Sequence, residues 1–99
     1  MLTGAQRTYL RGLAQLMKPQ VILGKEGASH AVLKEVNAAL DRDEVVKLRL
    51  PAMDKELRTA MINAIVLASG SELAGTVGHI AVIYKQQADP EKRKVSLAK

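Results

Sequence analysis

Residues 21–29, Val-Ile-Leu-Gly-Lys-Glu-Gly-Ala-Ser, constrain the fold more than any other stretch of the chain. The apolar run predicts a buried strand. The two glycines after it predict a tight, exposed turn, because glycine tolerates positive φ and keeps the backbone accessible. Helical spacing follows at once, and the first turn of a helix carries unpaired N–H groups and a partial positive charge. This order predicts a backbone clamp for a phosphate group. The predicted clamp consists of Gly24, Lys25, Glu26 and Gly27.

Composition indicates a single folded domain with excess positive charge. The chain has 99 residues, of which 47% are hydrophobic, so it has room for one core and enough apolar surface to form it. The net charge is +5, and the excess lies at the two ends, since residues 35–84 hold more carboxylates than cations. This distribution predicts a polyanionic partner.

Several function classes are disfavoured by residues that the chain lacks. Tyr9 and Tyr84 are its only Phe, Trp or Tyr residues, which argues against an aromatic platform for stacking bases. Because there is no cysteine, the chain has no disulfide and no thiolate metal site. No apolar run approaches the ~20 residues that span a bilayer, and Arg7 and Arg11 interrupt any signal peptide. We therefore expect a soluble cytoplasmic protein without a membrane partner.

An amphipathic helix is predicted near the N-terminus. Thr3 and Gln6 match a capping box, and Pro19 ends the helix at about Met17. Helical spacing predicts a core stripe of Leu10, Leu13 and Met17. A different face, within about 40°, carries Arg7, Arg11 and Lys18. This cationic face suits an anionic ligand, and the alternative is an ordinary solvated helix surface.

Periodicity predicts a mixed α/β sheet in the remainder. The first strand, residues 21–23, is apolar on both faces, as inside a parallel sheet. The last two strands are antiparallel because only Gly78 and His79 join them. The predicted elements after the first strand are a helix from residue 28 or 29 to about 42, a half-exposed strand 44–50, a helix 55–69 with core residues Leu57, Met61, Ile65 and Ala68, a short strand 73–77, and a central strand 80–84.

The predicted architecture is an N-terminal helix followed by β-α-β-α-β-β, with a four-stranded mixed sheet and helices packed on it. The glycine turn then lies at the carboxyl end of a strand, where open α/β sheets bind ligands. Lys34 lies one turn into the second helix, within reach of the same ligand. Residues 1–85 form the predicted domain. Residues 86–99 form a mobile basic tail, in which Val95-Ser96-Leu97 is a candidate docking segment.

Catalysis and metal binding are weakly supported. No pair of carboxylates lies in an apolar setting that would raise a pKa, and His30 and His79 are isolated in the sequence. Two histidines without carboxylate partners make a poor metal set. We therefore predict no enzyme, no cofactor and no metal. The glycine turn also lacks the Gly-Lys-Ser/Thr ending of a P-loop. Its alternative is an ordinary strand-to-helix turn, but its cationic surroundings suit a nucleic-acid backbone clamp of the kind known in KH domains.

The chain as a whole resembles a family. Its motifs are Leu10-Arg11-Gly12-Leu13-Ala14, residues 16–19, Val21-x-Leu23-Gly24-Lys25-x-Gly27, Val32-Leu33-x-Glu35-Val36, Leu40 with Glu44-Val45-Val46-Lys47, Gly78-x-Ile80-x-Val82-Ile83-Tyr84-Lys85, and Lys94-Val95-Ser96-Leu97. In combination they resemble a stand-alone CRM domain (chloroplast RNA splicing and ribosome maturation) of the small bacterial YhbY type. The resemblance implies a fold like the C-terminal domain of translation initiation factor three, with RNA binding through the G-x-x-G loop. It also implies an association with precursors of the large ribosomal subunit.

We therefore predict a monomeric, non-enzymatic RNA-binding protein that acts on ribosomal RNA in large-subunit assembly. The predicted RNA-binding residues are Gly24, Lys25, Glu26, Gly27, Arg7, Arg11, Lys18, Lys34 and His79. His79 stands where a lysine is common in the family, so an RNA contact from that turn is expected to be weaker or to depend on pH. Lys47 and Arg49 are left open, because the N-terminal helix can cover their face. The alternatives are a protein-interaction module on pre-ribosomal particles, a DNA-binding protein, and a small hydrolase that uses His30 or His79.

Overall fold

The predicted alternation of helices and strands is present in the computed structural model, which describes residues 1–95 and 97. The elements are α1 (Gly4–Gln15), β1 (Val21–Ile22), α2 (His30–Asp43), β2 (Val45–Arg49), α3 (Lys55–Ser69), β3 (Glu72–Val77), β4 (Ile80–Tyr84) and a 3-10 turn at Pro90–Lys92. Every predicted element is confirmed, with bounds close to those expected. Within the described part of the chain, no helix is long and apolar enough to cross a membrane.

Local signals explain where the helices begin and end. At α1, the Thr3 hydroxyl accepts from the Gln6 N–H at 3.1 Å and the Gln6 side chain accepts from the Thr3 N–H at 2.9 Å, which confirms the capping box. At the end of α3, Gly70 adopts φ +69°, as predicted for a C-terminal glycine. Asp54 occupies the N-cap position of α3, but its side chain makes no capping hydrogen bond.

The sheet has the strand order β1-β2-β4-β3, so β4 is central as predicted. β1 pairs in parallel with β2, and both remaining pairs are antiparallel, which confirms the mixed sheet. The prediction that the first strand is buried on both faces is wrong. β1 is an edge strand, and Ile22 is 67% exposed. The physical reason is that α1 packs on β3, β2 and β4, which leaves this side of β1 uncovered.

Two cores lie on opposite faces of the sheet. On one face, α2 and α3 pack their buried side chains against the strands, in a cluster that includes Val36, Leu40, Ile65, Leu48 and Ile83. On the other face, α1 packs against the same sheet, in a cluster that includes Leu10, Ala14, Val45, Val82 and Tyr84. The result is a three-layer α/β/α arrangement, with α2 and α3 on one face of the sheet and α1 on the other.

The predicted core stripe of α3 is partly wrong. Leu57 is 58% exposed and Ala68 is also exposed, whereas Ile62 and Ser69 are buried beside Ile65. The side chains of α3 are apolar around most of its circumference, so the periodicity of its sequence does not single out one buried face. The tertiary contact with α2 and the sheet decides which apolar residues are covered.

The predicted mobile tail is instead held against the domain at residues 87–95. Glu44, which ends α2, is fully buried, and its carboxylate accepts the N–H groups of Gln87, Lys94 and Val95 at 2.6, 2.5 and 2.8 Å. Val95 and Leu97 pack against the core on the α1 side, which confirms them as docking residues. Ser96, the third residue of the predicted docking segment, lies outside the described residues.

Candidate nucleic-acid interface

The glycine turn (residues 24–27) connects β1 to α2. The Leu23 N–H donates to the Arg49 carbonyl at 2.8 Å, and the Gly27 N–H closes the turn by donating to the Gly24 carbonyl at 3.1 Å. Gly27 has φ +67°, and a Cβ at this position would lie 2.9 Å from Cε of Met61. The backbone conformation therefore requires glycine at position 27, and the Met61 methyl group of α3 would have to shift to admit a side chain there.

Gly24 has no such structural requirement. A Cβ built at Gly24 would meet nothing within 4 Å, and its φ lies outside the left-handed region. The fold leaves this glycine unexplained. A side chain here would occupy the open space above the turn, so its absence lets another molecule approach the backbone closely.

The tip of the turn offers unpaired donors. Lys25 and Glu26 are exposed and make no hydrogen bond or ion pair with any described residue, so their backbone N–H groups are free. Ser29 is the N-cap of α2, and its hydroxyl accepts from the Val32 N–H at 3.2 Å. The first N–H groups of α2, which belong to His30 and the residue after it, remain open beside the turn.

Three segments meet at this end of the sheet. Ile22 pairs with Arg49, and Arg49 pairs with Ile80 across the central strands. The Leu50 N–H donates to the His79 carbonyl at 2.8 Å, which places the hairpin turn beside the end of β2. α3 begins soon after, at Lys55. The structure therefore brings Lys25 and His79 to the same end of the sheet, as the sequence-based prediction requires.

Arg7 and Arg11 do not form the free cationic face that helical spacing predicted. Both are half-buried, and their guanidinium groups donate to the carbonyls of Leu73 and Ala74 at 3.1 and 2.8 Å. A Cβ at Gly75 would lie 2.6 Å from Cδ of Arg11, so α1 and β3 are closely packed at the bulge in β3. These arginines anchor α1 to the sheet, and their role in RNA binding stays a prediction.

Lys47, which the sequence left open, has a structural task. Its Nζ donates to the carbonyls of Ala14 and Met17, at 3.0 Å each. These carbonyls belong to the C-terminal end of α1, where backbone acceptors have no partner within the helix. This half-buried cation therefore binds the end of α1, and Arg49, two residues further along β2, stays exposed.

The free cations are the groups available to an anionic ligand. Among the described residues, the lysines and arginines whose side chains make no hydrogen bond or ion pair are Lys18, Lys25, Lys34, Arg49, Lys55, Arg58, Lys92 and Lys94. The sequence-based prediction did not single out Lys55 and Arg58, which lie at the start of α3, after β2 ends beside the glycine turn.

The two basic ends of the sequence do not form one patch. Lys94 is held at Glu44, which precedes β2, whereas Arg49 is the last residue of β2. Five strand residues separate these positions by roughly 17 Å. The glycine-turn end also carries the carboxylates of Glu26, Asp54 and Glu56, so local charge there is mixed. An anionic ligand at this turn would therefore depend largely on the free backbone donors.

Neither histidine forms part of a metal site. Within residues 1–95 and 97, no three His, Asp or Glu side chains are grouped so that they could hold a metal ion. His30 begins α2 and His79 lies in the hairpin turn, and both are exposed. What the described residues around the glycine turn present is a set of free backbone donors and cations.

The fold and the turn together define a class, the small α/β domains that present a G-x-x-G turn at the carboxyl end of a strand. The model of the CRS1/YhbY (CRM) domain matches residues 2–85, and the chain belongs to this family. The resemblance predicted from the motifs is therefore confirmed.

Individual relatives cover nearly the whole chain. It is 35% identical over 96 residues to a protein of Haemophilus influenzae named RNA-binding protein, a match that covers 97% of this chain and 94% of the relative. It is 32% identical over 89 residues to the probable RNA-binding protein YqeI of Bacillus subtilis, which covers 90% and 93% of the two chains. The solution structure of the hypothetical protein SAV1595 from Staphylococcus aureus has a TM-score of 0.81 at 27% identity, over 97% of this chain and 100% of that one.

Proposed function

We propose that this protein binds RNA through the glycine turn and the free cations around it, without catalysing a reaction. The observation that carries the proposal is the open space at Gly24 above a turn tip whose N–H groups are free. A phosphate group can approach this backbone closely and accept hydrogen bonds from it. Membership of the family and the names of the relatives support RNA as the ligand.

The charges of the turn determine how such a clamp works. Glu26 offsets the charge of Lys25, so the turn alone has little net attraction. The backbone N–H groups position the phosphate, Lys25 pairs with it, and nearby cations such as Arg49 and Lys34 supply long-range attraction. Contacts of this kind recognise the backbone and carry little sequence information.

The proposal extends to the kind of RNA and the place of action. We infer that the ligand is ribosomal RNA precursor during assembly of the large subunit, that the protein acts as a monomer, and that it does so in the cytoplasm. The family resemblance supports this inference. Crosslinking in cells followed by RNA sequencing tests it, and large-subunit precursors should dominate the recovered RNA. A recovered population without ribosomal precursors would contradict it.

Reversing one charge in the turn tests the binding site. Lys25→Glu should weaken binding of structured ribosomal RNA at least about tenfold at low salt. The fall of log K with log salt should become shallower, its slope smaller in magnitude by about 1, because one phosphate contact is lost. The measurement is a titration at several salt concentrations. Circular dichroism and melting temperature should be unchanged, because Lys25 is exposed and makes no hydrogen bond or ion pair with a described residue.

Lys92→Glu is the matched control. Lys92 is also an exposed, free cation, but it lies in the C-terminal segment, which is held at Glu44, at the opposite end of the sheet from the glycine turn. Lys92→Glu changes the net charge by the same amount as Lys25→Glu, but far from the turn, so it should reduce affinity only slightly. Equal losses in the two variants would show a diffuse charge effect and refute the glycine turn as the site.

Exposed leucines favour a second candidate function. Leu57 is 58% exposed and Leu67 is 85% exposed, both on the outer side of α3. Such residues suit a protein-interaction module on pre-ribosomal particles, in which the cations only steer association. Salt-insensitive binding to a protein, with no RNA retained on purification, would favour this alternative.

Competition between RNA and DNA for the protein separates the proposed RNA binding from general nucleic-acid binding.

A further inference from the structure

One row of side chains crosses all four strands on the α1 face of the sheet. Cross-strand partners point to the same face, and the pairing Ile22 with Arg49, Arg49 with Ile80, and Ile80 with Val77 defines this row. Ile22 is 67% exposed and Val77 is 68% exposed. The structure therefore leaves an uncovered apolar row, with one arginine in it, at the same end of the sheet as the glycine turn.

A groove separates this row from α1. The Lys47 side chain binds the end of α1 over the neighbouring row, which also contains Val82. Beyond this row Ile80 is only partly covered by the α1 core and Arg49 is exposed. The resulting groove has a volume of about 200 Å³, with Val77, Ile80 and Val82 as apolar floor residues and Arg11 and Lys47 in its wall. This volume is below the usual range for drug-sized ligands and suits a single flat ring.

The charges around the groove select its occupant. Arg11, Lys47 and Arg49 are all cations on this face, and neither of the two rows carries a carboxylate. Arg11 and Lys47 donate to backbone carbonyls, whereas the guanidinium of Arg49 makes no bond to a described residue. The groove therefore combines aliphatic side chains with a positive surround, and the free planar cation of Arg49 lies beside it, as the cross-strand partner of Ile80. On its other side Arg49 pairs with Ile22, the last residue of β1 before the glycine turn.

We propose that this groove receives an unpaired RNA base whose adjoining phosphate is bound at the glycine turn. The proposal rests on the RNA-binding function above and adds the class of RNA. The aliphatic residues contact one face of the base. The Arg49 guanidinium stacks on it or donates to its edge, which replaces the aromatic platform that the chain lacks. A base inside a duplex is stacked and cannot enter, so the ligand is a single-stranded loop, bulge or end.

Methyl NMR of the full chain tests the proposal directly. Tyr9 and Tyr84 lie on α1 and at the far end of β4, so His79 is the aromatic ring nearest to the row. Single-stranded RNA of mixed sequence should therefore shift the methyl signals of Ile22, Val77 and Ile80 upfield through the ring current of a base. A blunt RNA duplex and an abasic ribose-phosphate oligomer should leave these signals in place while still shifting the amides of Lys25 and Glu26.

A conservative substitution separates stacking from charge. Arg49→Lys keeps the charge but loses the planar group, so affinity for single-stranded RNA should fall roughly fivefold while affinity for duplex RNA is unchanged. Arg42→Lys is the matched control, because Arg42 is also an exposed arginine but lies in the last turn of α2, at the opposite end of the sheet from Arg49, and it should change neither affinity.

The outcomes distinguish the two proposals. Shifted turn amides with unmoved methyl signals would refute the groove and leave the glycine-turn site standing. Methyl shifts caused by a protein partner but not by RNA would also refute the groove as a base site. Absence of RNA binding at both places would refute the proposed function together with this inference.

Discussion

At the scale of single residues, Glu44 has an unusual combination of properties. It is fully buried and adopts φ +65°, and among the described residues it is the one non-glycine with positive φ. Such a backbone costs about 1–2 kcal/mol. Three N–H donors from residues 87–95 bind its carboxylate, and charge-assisted bonds of this kind are strong enough to offset that cost. Glu44 therefore joins the end of α2 to the C-terminal segment.

Removing the charge of Glu44 should release this segment. Glu44→Gln keeps one acceptor oxygen but loses the charge and leaves donors unpaired, so the free energy of unfolding should fall by about 2 kcal/mol. Urea denaturation measures this change, and hydrogen exchange at Lys94 and Val95 should accelerate. Glu35→Gln, on the exposed face of α2, is the control and should stay within about 0.5 kcal/mol. An unchanged stability in Glu44→Gln would contradict the assignment.

The same group predicts a pH dependence of stability. Burial alone would raise the pKa of Glu44, but the N–H groups of Gln87, Val95 and Lys94 and the guanidinium of Arg93 outweigh it and lower the pKa below 4.5. The folded protein then binds this proton less tightly than the unfolded chain. The stabilisation is fully present above pH 4.5 and is lost as the pH falls through the lowered pKa. Glu44→Gln should flatten this part of the stability curve.

At the scale of elements, the two glycines of the glycine turn have different tasks. Gly27 is needed by the fold, so Gly27→Ala should cost about 1–2 kcal/mol in unfolding free energy, with a further cost from Met61. Gly24→Ala should leave stability within about 0.5 kcal/mol, because its Cβ would meet only open space. Thermal and urea unfolding of the two variants measure the contrast. Comparable losses in both would show that Gly24 is also structural.

The order of the elements could be predicted from the sequence because each local signal agrees with the fold. The capping box at Thr3, the glycines of the turn and the alternation in β2 all report on neighbouring residues. The predictions that were wrong concern features that depend on contacts between residues distant in the sequence. The burial of β1 depends on where α1 ends, the covered face of α3 depends on α2, and the docking of residues 87–95 depends on the carboxylate of Glu44.

For the candidate site too, some placements could be predicted from the sequence and others could not. Gly24, Lys25 and His79 meet at one end of the sheet because the strand order brings their turns together. Arg7 and Arg11 looked equally available by helical spacing, but β3 carbonyls use their donors. Arg49 was left open because its exposure depends on Lys47, which ends α1 one row earlier.

At the scale of the whole molecule, the sheet separates two regions of different character. One end presents the glycine turn, the hairpin turn and the row that contains Arg49, while the other holds the C-terminal segment at Glu44. Positive charge is present in both regions, so net charge alone does not identify the interface. The proposed interface rests instead on the free backbone donors of the glycine turn and the exposed residues of the row, which lie together at one end of the sheet.

Gly24→Ala tests the central claim most directly, because it alters the approach to the backbone without changing charge or, by the argument above, stability. Its affinity for structured ribosomal RNA should be measured beside wild type at several salt concentrations. We expect about a tenfold loss, or about 1.4 kcal/mol, at every salt concentration with an unchanged salt slope, since no cation is removed. An affinity equal to that of wild type would contradict the claim that a phosphate binds at this backbone.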